Sequence, residues 1–388
     1  MMKTSRDLYG TLVMGAMVAL AMQPAAVLAQ AGSGINLGEV TISPYMEIKG
    51  IIDDNVQLDA TDEEDDSSVE AKLGASASHS TDSIGIDAGL WGRLERYSDL
   101  DAEDHEDWGQ NIKIRFGDSE GLNVLLNEDF SSIDELDYGT GTIEARDTFN
   151  AAATISKQMT DKLSVDAQIG YNETDYESDR LFDWEQTYAS VAAAHTLTDK
   201  SAATLTAKFA TQDNDSFTSE NDIVTVLAGL KTRGTDKLTG SIGLGVREHD
   251  QSDLSGFSFD VKGQWAPTEQ LTVQATLANS VEPVSEAANN SREITSGTIE
   301  AIYKIQEAWF ATLGGTLRTD DYDQAVEIAG VSVDREDDTL SAKFRLTYVP
   351  PESFLQVFVE GQVRDRESNA PARDFSQNVA SAGVSLTY

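Results

Sequence analysis

The sequence predicts an all-β chain: a transmembrane antiparallel up-and-down β-barrel of about 18 strands (16–20), with short periplasmic turns and acidic outer loops. Three observations predict it. Short polar turns recur about every 38 residues, the segments between them alternate apolar with polar side chains, and aromatic residues gather near the segment ends. Alternation places the apolar set on one face of a strand and the polar set on the other. A chain of such hairpins that closes on itself leaves no unpaired edge and can turn its apolar face to lipid.

The N-terminus reads as an export signal. Lys3 and Arg6 precede an uncharged apolar run from Leu8 to Met22, Pro24 breaks it, and small residues follow at cleavage spacing. Residues 1–31 are therefore expected to be a signal peptide cut after Ala29 or Ala31, residues 32–42 a short periplasmic tail, and residues 43–388 the barrel. Beyond Gln30 no uncharged apolar run approaches the length of a spanning helix. The chain has no cysteine, so disulfides, thiolate chemistry and a lipidated cysteine are all excluded.

The turns begin at Thr81, Ser119, Thr160, Thr198, Thr235, Thr268, Gln306 and Pro350, with spacings of 38, 41, 38, 37, 33, 38 and 44 residues. Three of them are Thr-Asp-Lys. Between turns, Leu163 to Tyr171, Phe257 to Trp265 and Leu340 to Tyr348 each alternate strictly. Eight tight turns join nine hairpins, which sets the strand number at 18. The segments around Leu122 to Asp129 and Tyr188 to His195 alternate less well. The opposite ends carry longer acidic loops such as 59–68 and 99–107, and that asymmetry separates a membrane barrel from a soluble sandwich. Phe116, Trp265, Tyr303, Trp309, Tyr348 and Phe354 lie near the tight turns. Tyr97, Trp108, Phe130, Tyr171, Tyr176, Trp184, Phe257, Tyr322 and Phe375 lie near the loops. Trp108 to Phe116 is eight residues, close to the ~9–11 that a tilted strand needs to cross the hydrocarbon.

With the apolar face outward, alternation turns Lys49, Lys72, Arg93, Lys113, Arg115, Lys208, Lys231, Arg247, Lys262, Lys304, Arg318, Lys343, Arg345, Arg364 and Arg366 inward. Glu47, Glu70, Asp87, Asp166, Asp260, Glu300 and Glu360 join them, so the expected pore lining is mixed in sign. A barrel this wide is not filled by its own wall side chains and holds an aqueous channel unless something plugs it. No segment before the first strand, and no loop, is long enough to be expected to fold deeply inward. The net charge of -39 then belongs mainly to the outer loops and argues against a nucleic-acid partner.

Ala380, Ala382, Val384, Leu386 and Tyr388 alternate on one face of the final segment. This resembles the C-terminal signal of bacterial outer-membrane proteins, which implies that Val384, Leu386 and Tyr388 are read by the barrel-assembly machinery. The first strand ends in Asp53-Asp54-Asn55-Val56, with Ile52 before it. Together with the leader and the repeated hairpins, this resembles the β-barrel porins of bacterial exopolysaccharide gene clusters. The width of the barrel points to a channel for polar solutes, in contact with bacterial outer-membrane lipid and lipopolysaccharide, and the resemblance implies a role in polysaccharide export or envelope passage, with polysaccharide or export components as partners. The alternative is a non-conducting barrel that acts as a surface scaffold. Enzymatic activity is not expected: His79, His105, His195 and His249 are the only histidines, and no Gly-x-Ser-x-Gly elbow occurs. Asp99, Asp101 and Glu103 have alternate spacing, but Asp104 stands where a calcium loop needs glycine, so neither metal nor cofactor is expected.

Overall fold

A computed structural model describes residues 34–117, 121–137, 140, 142–215, 220–235, 237–250, 254–286, 290–328, 331–351, 353–370 and 373–388. The expected leader lies outside them. Eighteen long strands form one closed antiparallel ring. In order they are Val40–Asp53, Asp66–Ser80, Ile84–Tyr97, His105–Phe116, Leu122–Asp137, Thr142–Thr160, Leu163–Tyr176, Trp184–Thr198 and Ser201–Asn214. Asn221–Thr235, Leu238–His249, Gly256–Trp265, Leu271–Pro283, Ser291–Gln306, Trp309–Tyr322, Glu336–Tyr348, Leu355–Ser368 and Phe375–Thr387 complete the ring. Each strand pairs with its sequence neighbours, and the first pairs with the last from Tyr45↔Thr387 to Asp53↔Val379. The first strand starts at Val40, slightly ahead of the expected Ser43, and a short strand Ile35–Leu37 folds back onto it. A second small hairpin, Val326–Ile328 with Val331–Val333, stands in the loop before Glu336.

The recurring threonines have a local cause. The Thr160 hydroxyl oxygen accepts the backbone N–H groups of Lys162 and Leu163 at 3.3 and 3.1 Å. The hydroxyls of Thr198 and Thr235 accept the N–H two residues on, and Thr81 and Thr268 hold the turn in the same manner. A side-chain oxygen that satisfies an otherwise orphaned N–H sets the chain up to reverse in three residues.

The core is a wall rather than a centre. Large apolar side chains such as Ile52, Leu73, Leu90, Ile169, Val246, Leu313 and Leu317 are exposed on the outer face, far more than a water-soluble surface carries. Among the described residues no helix is long and apolar enough to span a membrane. Phe116, Trp265, Tyr303, Trp309, Phe354 and Tyr388 ring the tight-turn end, with Trp309 stacked on Tyr348 and Phe354 on Tyr388. At the loop end the outward aromatics are Trp108 on Phe130, Phe149 on Tyr171, and Phe257 beside Phe259. Tyr97, Tyr176, Trp184, Tyr322 and Phe375, read from the sequence as members of that girdle, alternate onto the inner face instead. Near the loops the strands leave the hydrocarbon, so aromatic character no longer reports which side faces lipid.

Candidate functional site: the barrel lumen

Every cation expected to line the pore lies on the face opposite the exposed apolar residues. Lys49, Lys72, Arg93, Lys113, Arg115, Lys208, Lys231 and Arg247 alternate with Ile48, Leu73, Leu94, Ile112, Phe116, Phe209, Leu230 and Val246 on their own strands. Lys262, Lys304, Arg318, Lys343, Arg345, Arg364 and Arg366 do the same, as does Glu360 between Val359 and Gly361. Depth along the strand then divides them into two environments.

Near the loop end the inner face is packed. Arg366 and Asp337 are each 1% exposed, and Asp337 accepts from Arg366 at 2.5 Å, from Arg335 at 2.9 Å and from the Ser368 hydroxyl at 2.5 Å. Asp320, equally buried, faces Arg318 at 2.5 Å and Arg292 at 3.4 Å. Arg247 reaches Glu293 at 2.8 Å. Side chains lining open water would be wetter than this; they are covered because loops fold over them. Val284 is fully buried, and Ser285 accepts a hydrogen bond from the Phe182 amide and donates one to Asp137. Glu286 pairs with Arg335 and Arg373, and Arg373 also donates to the Thr140 carbonyl. Asp137 ends a strand eight positions around the ring of 18 from the one that leads into Ser285, so Ser285 and Glu286 reach across the mouth. The expectation that no loop folds deeply inward is thus corrected.

A local break in the wall makes this possible. Strands Gly256–Trp265 and Leu271–Pro283 stay in register only from Trp265↔Val273 to Asp260↔Ala278. Beyond that the Asn279 side chain takes the place of the ladder: its amide donates to the Phe257 carbonyl at 2.8 Å, and its oxygen accepts from the Phe259 amide at 2.9 Å. Released from its neighbour, the strand leans inward, and Val281 packs on Tyr188, Ala210 and Ile223 while its carbonyl accepts from Gln212.

The Asp53-Asp54-Asn55 run closes the mouth elsewhere. Asn55 is fully buried and donates to the carbonyls of Asp59 and Ser376, while Gln377 donates to Asp53 and Asn378 to Asp54. The run clamps the loop after the first strand to the last strand, and Leu58 at its end packs with Leu136 and Phe375. Leu58 has φ 56°, a left-handed conformation that a non-glycine residue adopts at a cost, held here by its buried packing. In these loops the Asp59 carboxyl is held below its ordinary pKa by the backbone N–H groups of Thr61 and Asp62. Burial works against the charge of Arg335, but Tyr322, Glu286 and Asp337 outweigh it and raise its pKa.

Toward the tight turns the inner face is mixed: Thr347, Gln356 and Phe358 are buried, while another stretch of the wall is open. Lys113 and Arg115 are exposed. Lys343 pairs with Glu360 at 3.1 Å, and Arg345 lies between Glu360 and Glu47 with its guanidinium over the Phe358 ring. Lys49 pairs with Glu70 at 3.1 Å, and Lys262 with Asp260 at 3.2 Å. Inward aromatics, which the outward-facing reading of rings had passed over, brace this wall. Trp91 lies across Gly109, where an added Cβ would stand 2.8 Å from its ring, and Lys72 sits 4.6 Å from its centroid. Tyr45 lies across Gly74, and nearer the loops Lys208 sits 4.8 Å from Tyr188, the buried ring on which Val281 packs. The signal that could have found them is a glycine at the paired position of the next strand. Among the described residues no group of His, Asp or Glu is arranged to hold a metal ion.

No curated protein matches the sequence. Among solved structures, the chain is similar to OccK3 (OpdO) of Pseudomonas aeruginosa, with 14% identity, TM-score 0.47, and 89% of this chain and 96% of that one covered. It is also similar to the outer membrane channel DcaP of Acinetobacter baumannii, with 9% identity, TM-score 0.46, and coverage of 92% and 99%. The siderophore receptor PirA from Pseudomonas aeruginosa aligns at 12% identity and TM-score 0.48, covering 89% and 80%. The model of the family described as "Putative beta-barrel porin 2" matches residues 30–190 and 210–388. An 18-stranded closed barrel with an apolar outer face and a charged interior, matched over most of its length, belongs to that family of bacterial outer-membrane β-barrel porins.

Proposed function

We propose that the barrel passes polar solutes across the outer membrane, open at its tight-turn end and restricted at its loop end. The contrast in exposure along one inner face carries this reading: Lys113 and Arg115 are exposed, whereas Arg318 and Arg366 are buried. A lumen too wide for wall side chains to fill holds water wherever loops do not enter. The loop layer therefore sets what passes. The family assignment supports a channel, and the resemblance to porins of exopolysaccharide clusters favours a polysaccharide cargo with export components as partners. Lipopolysaccharide would border the acidic loops, and the assembly machinery would read the last strand through Val384, Leu386 and Tyr388. Recording from the purified barrel in planar bilayers tests the reading: stable conductance steps are expected, and silence at every voltage overturns it. For the cargo, deletion of the gene is expected to reduce surface polysaccharide, and unchanged polysaccharide removes that assignment.

The same loop layer favours a second reading, a barrel that stays shut and presents its acidic loops to a partner. Silence in the bilayer even after residues 284–290 are replaced would select it.

A further inference from the structure

The inner-face cations near the loops all have partners, but one strip of the opposite half does not. It is formed by four adjacent strands, Asp66–Ser80, Ile84–Tyr97, His105–Phe116 and Leu122–Asp137. Lys113 and Arg115 have no carboxylate within ion-pair distance among the described residues, and both are exposed. The carboxylates nearest Lys72 are engaged elsewhere, Glu70 with Lys49 and Glu47 with Arg345, which leaves its ammonium over Trp91. The strip is not purely basic. Asp87 is the register partner of Lys113 and Asp129 that of Asn111, both exposed and without an ion pair among the described residues. Between the charged groups lie Ser76, Ser78, Gly85 and Gly89, which keep the wall low, and the amides of Asn111 and Asn127.

Unused hydrogen-bonding capacity of both kinds, three cations against two carboxylates, and one indole ring at the edge define a complementary ligand. It carries anionic groups for Lys113, Arg115 and Lys72, hydroxyls for the carboxylates and amides, and an apolar face beside Trp91. We infer that this strip is a binding site for a polyhydroxylated organic anion entering from the tight-turn end. The inference rests on the channel reading for its access, though binding itself does not require conduction.

Calorimetric titration of the full barrel in detergent with a galacturonate trimer tests it, with maltotriose as the neutral probe and bilayer conductance measured in parallel. Saturable binding of the galacturonate trimer is expected, weaker binding of maltotriose, and a loss of at least about tenfold in the double variant Lys113→Gln/Arg115→Gln, the worth of one charge-assisted hydrogen bond. Trp91→Ala is expected to weaken binding about fivefold. Lys200→Gln, in the tight turn after Thr198, is the control and should change nothing. Heat-modifiable gel mobility verifies that each variant is folded. Conductance without galacturonate binding, or binding indifferent to Lys113 and Arg115, overturns the site while leaving the channel standing. Binding that follows the variants in a barrel that never conducts keeps the site and overturns the channel reading.

Discussion

The two ends of the lumen use the same residue types for opposite purposes. At the loop end, Arg366, Arg335, Arg318 and Arg292 are locked onto Asp337 and Asp320 under a cover of inward-folded loops. At the tight-turn end, Lys113 and Arg115 stand in the open with their donors unused. A charged residue on the inner face is therefore either mortar or lining, and its sequence position alone does not say which. What decides is whether a loop comes down on it. Buried ionic networks confer little net stability against an apolar alternative, yet removing one partner is severe, so the loop end is brittle where the other end is tolerant.

The sharpest way to break this comparison is to take the cover away. Replacing residues 284–290 by a short Gly-Ser link is expected to raise single-channel conductance several-fold; an unchanged conductance would mean that the restriction lies elsewhere. Next in size is Asp337→Ala, which strands Arg335 and Arg366 in a buried site and is expected to cost about 3–5 kcal/mol. The denaturant midpoint of the refolded barrel measures it, and a shift no larger than that of Lys113→Ala would contradict the contrast between the two ends. Lys343→Glu with Arg345→Glu probes the boundary between them. The reversal potential under a salt gradient is expected to move toward cation selectivity by an amount on the order of tens of millivolts, and no movement would take these residues off the ion path. Smallest is Asn279→Ala, expected to cost about 1 kcal/mol and to loosen the Phe257 and Phe259 backbone, read as faster amide exchange there; unchanged exchange would mean that the side chain does not replace the ladder.

Much of the wall was legible because its causes are local. Period-two alternation assigns faces, and a threonine whose hydroxyl caps its own turn marks each reversal, so the 18 strands and the inward set of cations follow from neighbours in sequence. The mouth was not legible because its causes are distant. Seven residues between Pro283 and Ser291 look too few to reach far into a lumen, yet Ser285 meets Asp137, 148 residues away, because Asn279 frees the strand to lean. Asp53-Asp54-Asn55 reads in the sequence as a marker; its work as a clamp needs Ser376, Gln377 and Asn378 from the other end of the chain. Likewise Tyr176 reads as a girdle aromatic, and its hydroxyl instead donates to Asp137 inside the barrel.

The short ladder at Asp260↔Ala278 gives the molecule an uneven hoop strength. A membrane barrel is a ring under lateral pressure, and a ring yields first at its weakest joint. Thickening or stiffening the lipid is therefore expected to load the joint beside Asn279, whose strand leads into Val284, Ser285 and Glu286 at the mouth. Amide exchange near Phe257 and Phe259 should accordingly respond to lipid chain length before exchange at any fully paired strand does.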